Sequence, residues 1–512
     1  MIVKRLTGLR KLALTMFLFA CLYQVKGAVQ DGESGEYLHR IRQIDLPLIE
    51  ISTVDGVEPT CVFVQPPPGC MGNGITGNNY VPGRITITIK GQKVYDSGDY
   101  IKGERGMRIK IRGNSSAYPL KKPYKVKLSK KADLLLRGDD DFKDKEWLLL
   151  GNYQDTHTLQ TVVGMKIGLM VGMEWQPAYC FAHVLLNGSY KGCYLLCEAV
   201  EKGRKRCDIS DTGYLIENDA YWWNTEDVYF HSDYLTPAMG YTFKYPDPDD
   251  LDETLVSNIK GYIEEFGQML HEGGDISEYI DISSFAGWTL GHDILGTLDG
   301  CGSNMFLYKE DYNVDDHTSS KLKMGPMWDF DSTYKMYGKW SSQHGIDHFY
   351  VKRLFQREDF LKSYINIWKR IRNNVYSEVM DEVLSLQEKQ GKAIMDCRRL
   401  EEELTKYYLS VDLEENIDSV SRWFESRIAW LDEQIEQMDL SGCDNCVGNE
   451  EAVSMSVYDV WGKLCCRTSD MEHIKMMEKG KTPDFLLLPR GVYAVHFMLK
   501  NGSSSCRKVI IH

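Results

Sequence analysis

Past its first 25 or so residues the chain has no apolar run approaching the roughly 18 residues that cross a bilayer, so no later membrane-spanning helix is expected. Proline is scarce, 15 in 512 residues, which excludes the proline-rich linker class. Positive charge is in deficit: 60 Lys and Arg face 74 Asp and Glu, for a formal net charge of −14. Broad electrostatic capture of nucleic acid needs a basic footprint and is excluded. The 14 cysteines are too dilute for a small disulfide scaffold, yet plentiful for a reducing cytosol. Internal repeats are absent. So are a Walker lysine motif, His-Glu-x-x-His and Gly-x-Ser-x-Gly, which removes the nucleotide, zinc-protease and serine-hydrolase readings that rest on them. What remains is a globular composition, 43% hydrophobic and 26% charged, of a size that suggests about two to four domains.

The N-terminus reads as an export signal. Lys4, Arg5, Arg10 and Lys11 precede an apolar stretch from Leu12 to Tyr23, with a small-residue cleavage point near Val25-Lys26-Gly27. An alternative is a lipoprotein signal, Leu18-Phe19-Ala20 before a lipidated Cys21, against which the bulk of Phe19 counts. Export places the mature chain in an oxidising space, which suits its cysteine count.

Residues 45–130 read as strands. Met107, Ile109 and Ile111 alternate with Arg108, Lys110 and Arg112, and Tyr124, Val126 and Leu128 repeat the pattern. The period turns helical from Thr156 to Val171, where Leu159, Val163, Ile167 and Met170 share a face and Asp155 or Thr156 supplies the cap. Asn187-Gly188 is a hairpin turn between Val184-Leu185-Leu186 and Tyr194-Leu195-Leu196. From Leu255 helices dominate, with stripes at Ile259, Ile263, Phe266 and Leu270, and at Leu361, Ile365, Trp368, Ile371, Val375 and Val379. After Ser441-Gly442-Cys443-Asp444, short strands predict a small β-sandwich.

The chemistry concentrates between Leu298 and Tyr334. Asp299 is followed at Asp-x-x-x-x-Asn spacing by Asn304, then by Gly325-Pro326-Met327-Trp328-Asp329-Phe330-Asp331. Kinase-type phosphoryl transfer uses such a set. Mg²⁺ takes hard oxygens from a carboxylate and an amide carbonyl, and substrate phosphates supply the rest. A separate carboxylate orients the attacking hydroxyl and accepts its proton. On this reading Asp299 is the base, and Asn304 and Asp329 hold metal. Asp331 is either a second metal ligand or a support for the loop. Upstream, Arg112-Gly113-Asn114-Ser115-Ser116 is a tight polar turn. There Gly113 lets the backbone approach phosphates and Arg112 adds charge. In the following Lys121-Lys122-Pro123 segment, Lys122 shares parity with Tyr124, Val126 and Leu128, which allows either an inward lysine that neutralises nucleotide phosphates or an exposed basic hairpin. Lys125 and Lys127 fall on the other, solvated face.

Three further patterns carry less. Gly72-Asn73-Gly74-Ile75-Thr76-Gly77 spells GxGxxG but follows Pro66-Pro67-Pro68 rather than a strand. The dinucleotide reading therefore fails, and a surface loop or a glycine flap remains. Cys61 and Cys70 bracket that loop as candidates for a bridge. Cys443-x-x-Cys446 with Cys465-Cys466 reads as thiols or disulfides rather than as half a zinc site. His292, beside Trp288 and Leu295, reads as a core histidine.

Taken in order, these motifs resemble the CotH kinase family: Leu46-Pro47-Leu48-Ile49, Arg112 to Ser116, Lys121-Lys122-Pro123-Tyr124, Trp147 to Asp155, Leu186 to Glu198, Asn304-Met305-Phe306-Leu307-Tyr308, and Gly325 to Asp331. The resemblance covers about residues 45–435. It implies an α+β, atypical kinase-like two-lobed fold, with a β-rich N-lobe and a helical C-lobe, over residues 28–440. A signal peptide at 1–27 precedes this domain and a small β-sandwich at 441–512 follows it. The implied activity is an atypical protein kinase using ATP and Mg²⁺, with Mn²⁺ as a substitute. Asp299 and Lys122 are then catalytic. Arg112, Gly113, Asn114, Ser115, Lys121, Lys122 and Glu198 lie at the nucleotide, and Asn304, Asp329 and Asp331 at the metal. Tyr194 to Val200 looks like a hinge strand that meets adenine, and the acidic partner of the lysine is one of Glu198, Glu217 and Asp219. The chain departs from the family at Leu159-Gln160-Thr161, where Leu-Arg-Asn is usual, so an arginine is missing at the helix start. The tail, with Val457 to Lys463, Leu488 to Tyr493 and Lys508 to Ile511, resembles the sorting domain of type IX secretion in Bacteroidetes-like bacteria. It implies export through that machinery to the cell surface or the medium, with protein substrates in the envelope or outside the cell and no nucleic-acid partner. Two other readings stand beside the kinase. One is an inactive CotH-like surface or structural protein. The other is a carbohydrate-acting enzyme with Asp299 and Asp329 as an acid–base pair.

Overall fold

Period-two alternation in the N-terminal half produces a barrel, because every inward apolar row finds another to pack against. The computed structural model describes residues 36–70, 72–151, 159–224, 228–235, 239–298, 300, 304–342, 350–405, 412–438, 452–458, 464–478, 491–499 and 504–511. The chain divides into two units, 1–435 and 436–512. In the first, chain order runs α1 (36–43), β1 (Leu48–Thr53), β2 (Val62–Val64), β3 (Gly74–Thr76), β4 (Val81–Ile89), β5 (Gln92–Asp96), β6 (Met107–Ile111), β7 (Tyr124–Ala132), β8 (Asp144–Leu150), α2 (Gln160–Val171), β9 (Tyr179–Leu186) and β10 (Ser189–Glu198). Then come β11 (Tyr214–Asp219), β12 (Tyr229–Phe230), β13 (Gly240–Tyr245), α3 (Glu253–Glu272), α4 (Ile282–Leu295), β14 (Met305–Lys309), β15 (Leu322–Met324), α5 (Val351–Leu354), α6 (Glu358–Ile371), α7 (Val375–Leu386), α8 (Lys392–Thr405) and α9 (Leu413–Glu436).

The large sheet has the order β1-β9-β10-β8-β7-β6-β4-β5, and β1 also pairs with β4, which closes it. Met107, Ile109 and Ile111 of β6, Tyr124, Val126 and Leu128 of β7, and Trp147 and Leu149 of β8 all point inward. They fill the interior together with Val184, Leu186, Tyr194 and Leu196. The expected alternation is therefore realised, and so is the Asn187-Gly188 turn between β9 and β10, with φ of 50° and 76°. Closure leaves few free edges for pairing with other chains.

A second, five-stranded sheet, β12-β13-β11-β14-β15, follows in sequence. Strands β14 and β15 interrupt a region whose periodicity predicts mainly helix, since an apolar run as short as Met305-Phe306-Leu307-Tyr308 does not reveal its period. The long stripe beginning at Leu361 is two helices, α6 and α7, broken at Arg372–Asn374. Helix α2 begins at Gln160, with Leu159 at its N-cap and no side-chain cap bond there; Asp155 and Thr156, the expected caps, lie outside the described residues. His292 is buried and bonds to Thr297 at 3.2 Å, as a core histidine should.

The outer face of the barrel is covered by α1 and α8. Ile41, Leu46, Phe181, Leu185, Cys193 and Leu195 pack with Ala393, Ile394, Cys397 and Leu400. Within this apolar layer lies an ion pair, Lys121 Nζ to Glu401 at 2.8 Å, with both side chains buried. The second unit contains β16 (Ala452–Tyr458), β17 (Leu464–Thr468), α10 (Met471–Glu478), β18 (Gly491–Leu499) and β19 (Ser504–Ile511). Its described strands form one antiparallel sheet, β17-β16-β18-β19, and a second layer of strands is not among the described residues.

Candidate active site

The polar turn after β6 is shaped by Gly113. Its φ is +79°, and a Cβ there would lie 2.1 Å from Ser116 Oγ, so a side chain is excluded. The turn continues into a 3₁₀ segment, Ser115–Ala117. The Asn114 side-chain oxygen accepts from Ile75 N and from Asn224 Nδ2, each at 3.4 Å, and Asn224 Nδ2 also donates to Ile75 O at 2.6 Å. The Gly72–Gly74 segment leads into β3 and lies against Tyr221 and Asn224 closely enough that a Cβ at either glycine would clash. It is part of a two-stranded ribbon, β2 with β3, and not a nucleotide fingerprint. Arg112 has its guanidinium 5.9 Å from the Trp328 ring. Burial lowers its pKa, and the charges of Asp329 and Glu217 oppose that shift.

Asn304 and Asp329 meet. Asn304 Nδ2 donates to Asp329 Oδ2 at 3.0 Å. Both residues sit in the left-handed region, at φ of 57° and 64°, where Asn and Asp are the side chains best tolerated. Asn304 stands just before β14, and the next residue, Met305, pairs with Asn218 near the end of β11. The Asp329 loop follows β15 and is anchored by Phe330, buried against α2. A Cβ on Gly164 would fall 2.2 Å from the Phe330 ring. Gly164→Ala is therefore expected to cost about 1–3 kcal/mol of stability in a urea melt, because a packed ring must move.

Charge also gathers on the barrel and on the second sheet, and Arg112, which feels both Asp329 and Glu217, links it to this pair. On the outer face of the barrel, Lys125 contacts Glu146 and lies 3.2 Å from Glu201, while Lys127 lies 2.6 Å from Glu146. Arg108 and Lys110 stand over the Tyr80 ring at 5.0 and 4.8 Å. On the second sheet Lys244 holds Glu217 at 2.8 Å. Burial, countered by Lys125, raises Glu201 to about 7, whereas Lys125 and hydrogen bonds overcome burial to lower Glu146. Burial and then the Glu217 charge raise Asp219 to about 7. A raised carboxyl keeps its proton in the folded chain while the unfolded chain releases it near pH 4, so stability present at low pH is lost as pH rises to about 7. Asp219→Asn keeps an acceptor for Tyr221 N, now 2.7 Å from Asp219 Oδ1. The variant is expected to exceed the native chain at pH 8 by on the order of 2 kcal/mol, with the gap closing toward pH 4, as read from urea melts at the two pH values.

The other sequence-derived candidates are placed as follows. Asp299 lies outside the described residues. Asp331 is half-buried, two residues beyond Asp329. Lys122 is held within its own turn: its ammonium binds the carbonyls of Ala117 and Tyr118 at 2.6 and 3.4 Å and stands 5.3 Å from the Phe63 ring. Parity fails for Lys122 because it precedes β7 and so lies outside the pleat. Lys121 is committed to Glu401 and to the Cys193 carbonyl. Glu198 is engaged elsewhere, with Arg137 Nη2 on one oxygen at 2.8 Å and Ala178 N on the other at 2.9 Å. The expected hinge, Tyr194 to Val200, is largely an interior strand: Leu195 to Glu198 pair with Leu150 to Trp147, and Leu195 to Cys197 also pair with Phe181 to Tyr179. The ladder thus occupies backbone groups that the hinge expectation assigns to adenine.

Sequence reasoning missed Lys125, Glu146, Glu201 and Lys244. Lys125 is on the outer face, as parity requires, but that face is covered. Glu146, cross-strand from Lys127, was the available signal.

Asn304 and Asp329 bring together an amide and a carboxylate, a hard-oxygen set appropriate to Mg²⁺, which keeps waters and phosphate oxygens among its ligands. Among the described residues no three His, Cys, Asp or Glu side chains converge as a metal cage, nor is any helix long and apolar enough to cross a membrane. No curated protein matches the chain. The family model described as CotH kinase protein matches residues 109–431, well over half of the chain and inclusive of every site residue named above from Arg112 to Glu401, and the chain therefore belongs to the CotH kinase family.

Proposed function

We propose that the protein is an exported atypical kinase that transfers the γ-phosphate of ATP to hydroxyl groups of proteins. The observation that supports this most is the Asn304–Asp329 pair beside Arg112 and Trp328, within a chain of the CotH kinase family. Asn304 and Asp329, with Asp331, would hold Mg²⁺, which neutralises phosphate charge and aligns the transferred group. Arg112 and the backbone of the Gly113 turn bind phosphate oxygens. Asp299 orients the acceptor hydroxyl and takes its proton as the oxygen attacks. The leader and the sorting-type tail carry the chain to the cell surface or beyond it, where envelope proteins are the acceptors.

The full chain, given Mg²⁺ and γ-labelled ATP, is expected to label itself or envelope proteins on hydroxyl side chains. A second reading, a CotH-like surface protein without transfer, is favoured by one observation: the Lys122 ammonium is satisfied by carbonyls of its own turn. Mg²⁺-dependent nucleotide binding with no transfer to any protein would establish that reading instead.

A further inference from the structure

We propose that Cys193 and Cys397 are a disulfide site that joins the barrel to the helix covering it. Cys193 lies on the outer face of β10 and Cys397 on α8, both in one apolar cluster and both almost wholly buried. Each thiol is near enough to the other to shift its proton affinity. Two further contacts fix the pair. Tyr190 Oη lies 2.9 Å from Cys397 Sγ, and Cys193 N donates to Glu401, one helical turn beyond Cys397, at 2.8 Å. The backbone of one cysteine is thus bound to the helix that bears the other.

The remaining described cysteines show why this pair stands out. Cys180 and Cys197 lie on adjacent strands, but Cys180 pairs with Leu196 and Cys197 with Tyr179. Leu196 and Cys180 belong to the barrel interior, so Cys197 points to the opposite face and the two cannot meet. Cys465 and Cys466 are neighbours on β17 and likewise alternate. Cys61 and Cys70, the expected bridge, are free thiols in the structure, as Cys193 and Cys397 are, but they share no buried apolar cluster.

Both thiols are inaccessible once α8 is seated, so the bond forms during folding by exchange with an oxidised dithiol oxidoreductase or oxidised glutathione. The Cys193 thiolate attacks one sulfur of the oxidant's disulfide and expels a thiolate, giving a mixed disulfide. The Cys397 thiolate then attacks the Cys193 sulfur and expels the second thiolate. Two protons and two electrons leave the pair, and the oxidant is reduced to its dithiol, or to two glutathione molecules.

The test uses the full chain refolded in a reduced and oxidised glutathione mixture, then denatured, alkylated without reductant and digested. The expected map joins the Cys193 and Cys397 peptides and shows them alkylated only after reduction, with Cys180, Cys197 and Cys207 alkylated throughout. Reduction is expected to lower the unfolding midpoint of the native chain by roughly 5–10 °C, and to leave that of Cys397→Ser unmoved. Recovery of both peptides fully alkylated from oxidised, cooperatively folded chain overturns the proposal, as does a link from either to a different cysteine. The peptide map of the native chain decides the matter even if the variant does not fold.

Discussion

Asp329→Asn is expected to slow phosphotransfer by about a hundred- to a thousandfold, the loss seen when one preorganised charged group is removed from a polar transition state. The substitution is nearly isosteric, and asparagine tolerates the left-handed backbone at φ 64° as well as aspartate does. An oxygen remains to accept from Asn304 Nδ2, so the local fold is kept. What disappears is the negative charge, and with it the proposed hard anionic ligand for Mg²⁺ and the strongest counter-charge acting on Arg112. The Mg²⁺ concentration for half-maximal rate should rise together with the fall in rate, and initial rates across a Mg²⁺ titration read both. A variant with native rate and native Mg²⁺ dependence would place the reaction elsewhere in the chain.

The second large effect lies far from the chemistry. Glu401→Gln is expected to destabilise the first unit by about 3–5 kcal/mol, because it leaves the Lys121 ammonium buried without its counter-ion. Lys121 is 4% exposed and Glu401 fully enclosed, so water cannot substitute for the missing partner. Glu401 also accepts from Cys193 N, and its carboxyl fills the space above Gly192, where even a Cβ would lie 2.1 Å away. Lys121→Met is expected to cost a similar amount. The combination Lys121→Met with Glu401→Leu should recover most of the loss, since an apolar pair in an apolar layer carries no desolvation penalty. Urea melts of the native chain, Lys121→Met, Glu401→Leu and the double variant under reducing conditions give the coupling energy directly. If the two single losses simply add, the pair is not acting as a pair.

How much of this was legible in the sequence depends on the range of the interactions. Local pattern carried the barrel: alternation at Met107 to Ile111 and Tyr124 to Leu128, and the Asn187-Gly188 turn, each encode a preference within a few residues. Motif spacing brought Asn304 and Asp329 into one site, since Asn304 immediately precedes β14 and Asp329 lies in the loop after β15, its neighbour in the same sheet. What escaped depends on contacts made across long separations. Nothing near Lys121 announces Glu401, and nothing near Lys125 announces Glu201. A charged strand face reads as solvated unless the layer that covers it is known. Lys122 was misplaced for a simpler reason: parity extends only as far as the strand does, and β7 begins at Tyr124.

The pairing of α1 with α8 bears on when the protein can fold. Arg40 grips Glu403 through two hydrogen bonds, 2.8 and 2.7 Å long, across 363 residues of chain. The outer apolar layer of the barrel, from Phe181 to Leu195, gains the α8 part of its cover only when α8 arrives. A chain emerging from the ribosome or from a translocation pore therefore carries a barrel with one partly uncovered apolar flank until Thr405 of its 512 residues has followed. Contacts of such separation slow the final step and lengthen the interval in which the flank can stick to other chains. Fragments ending before Lys392 should accordingly aggregate, and the vulnerable period of this protein is the time taken to deliver α8.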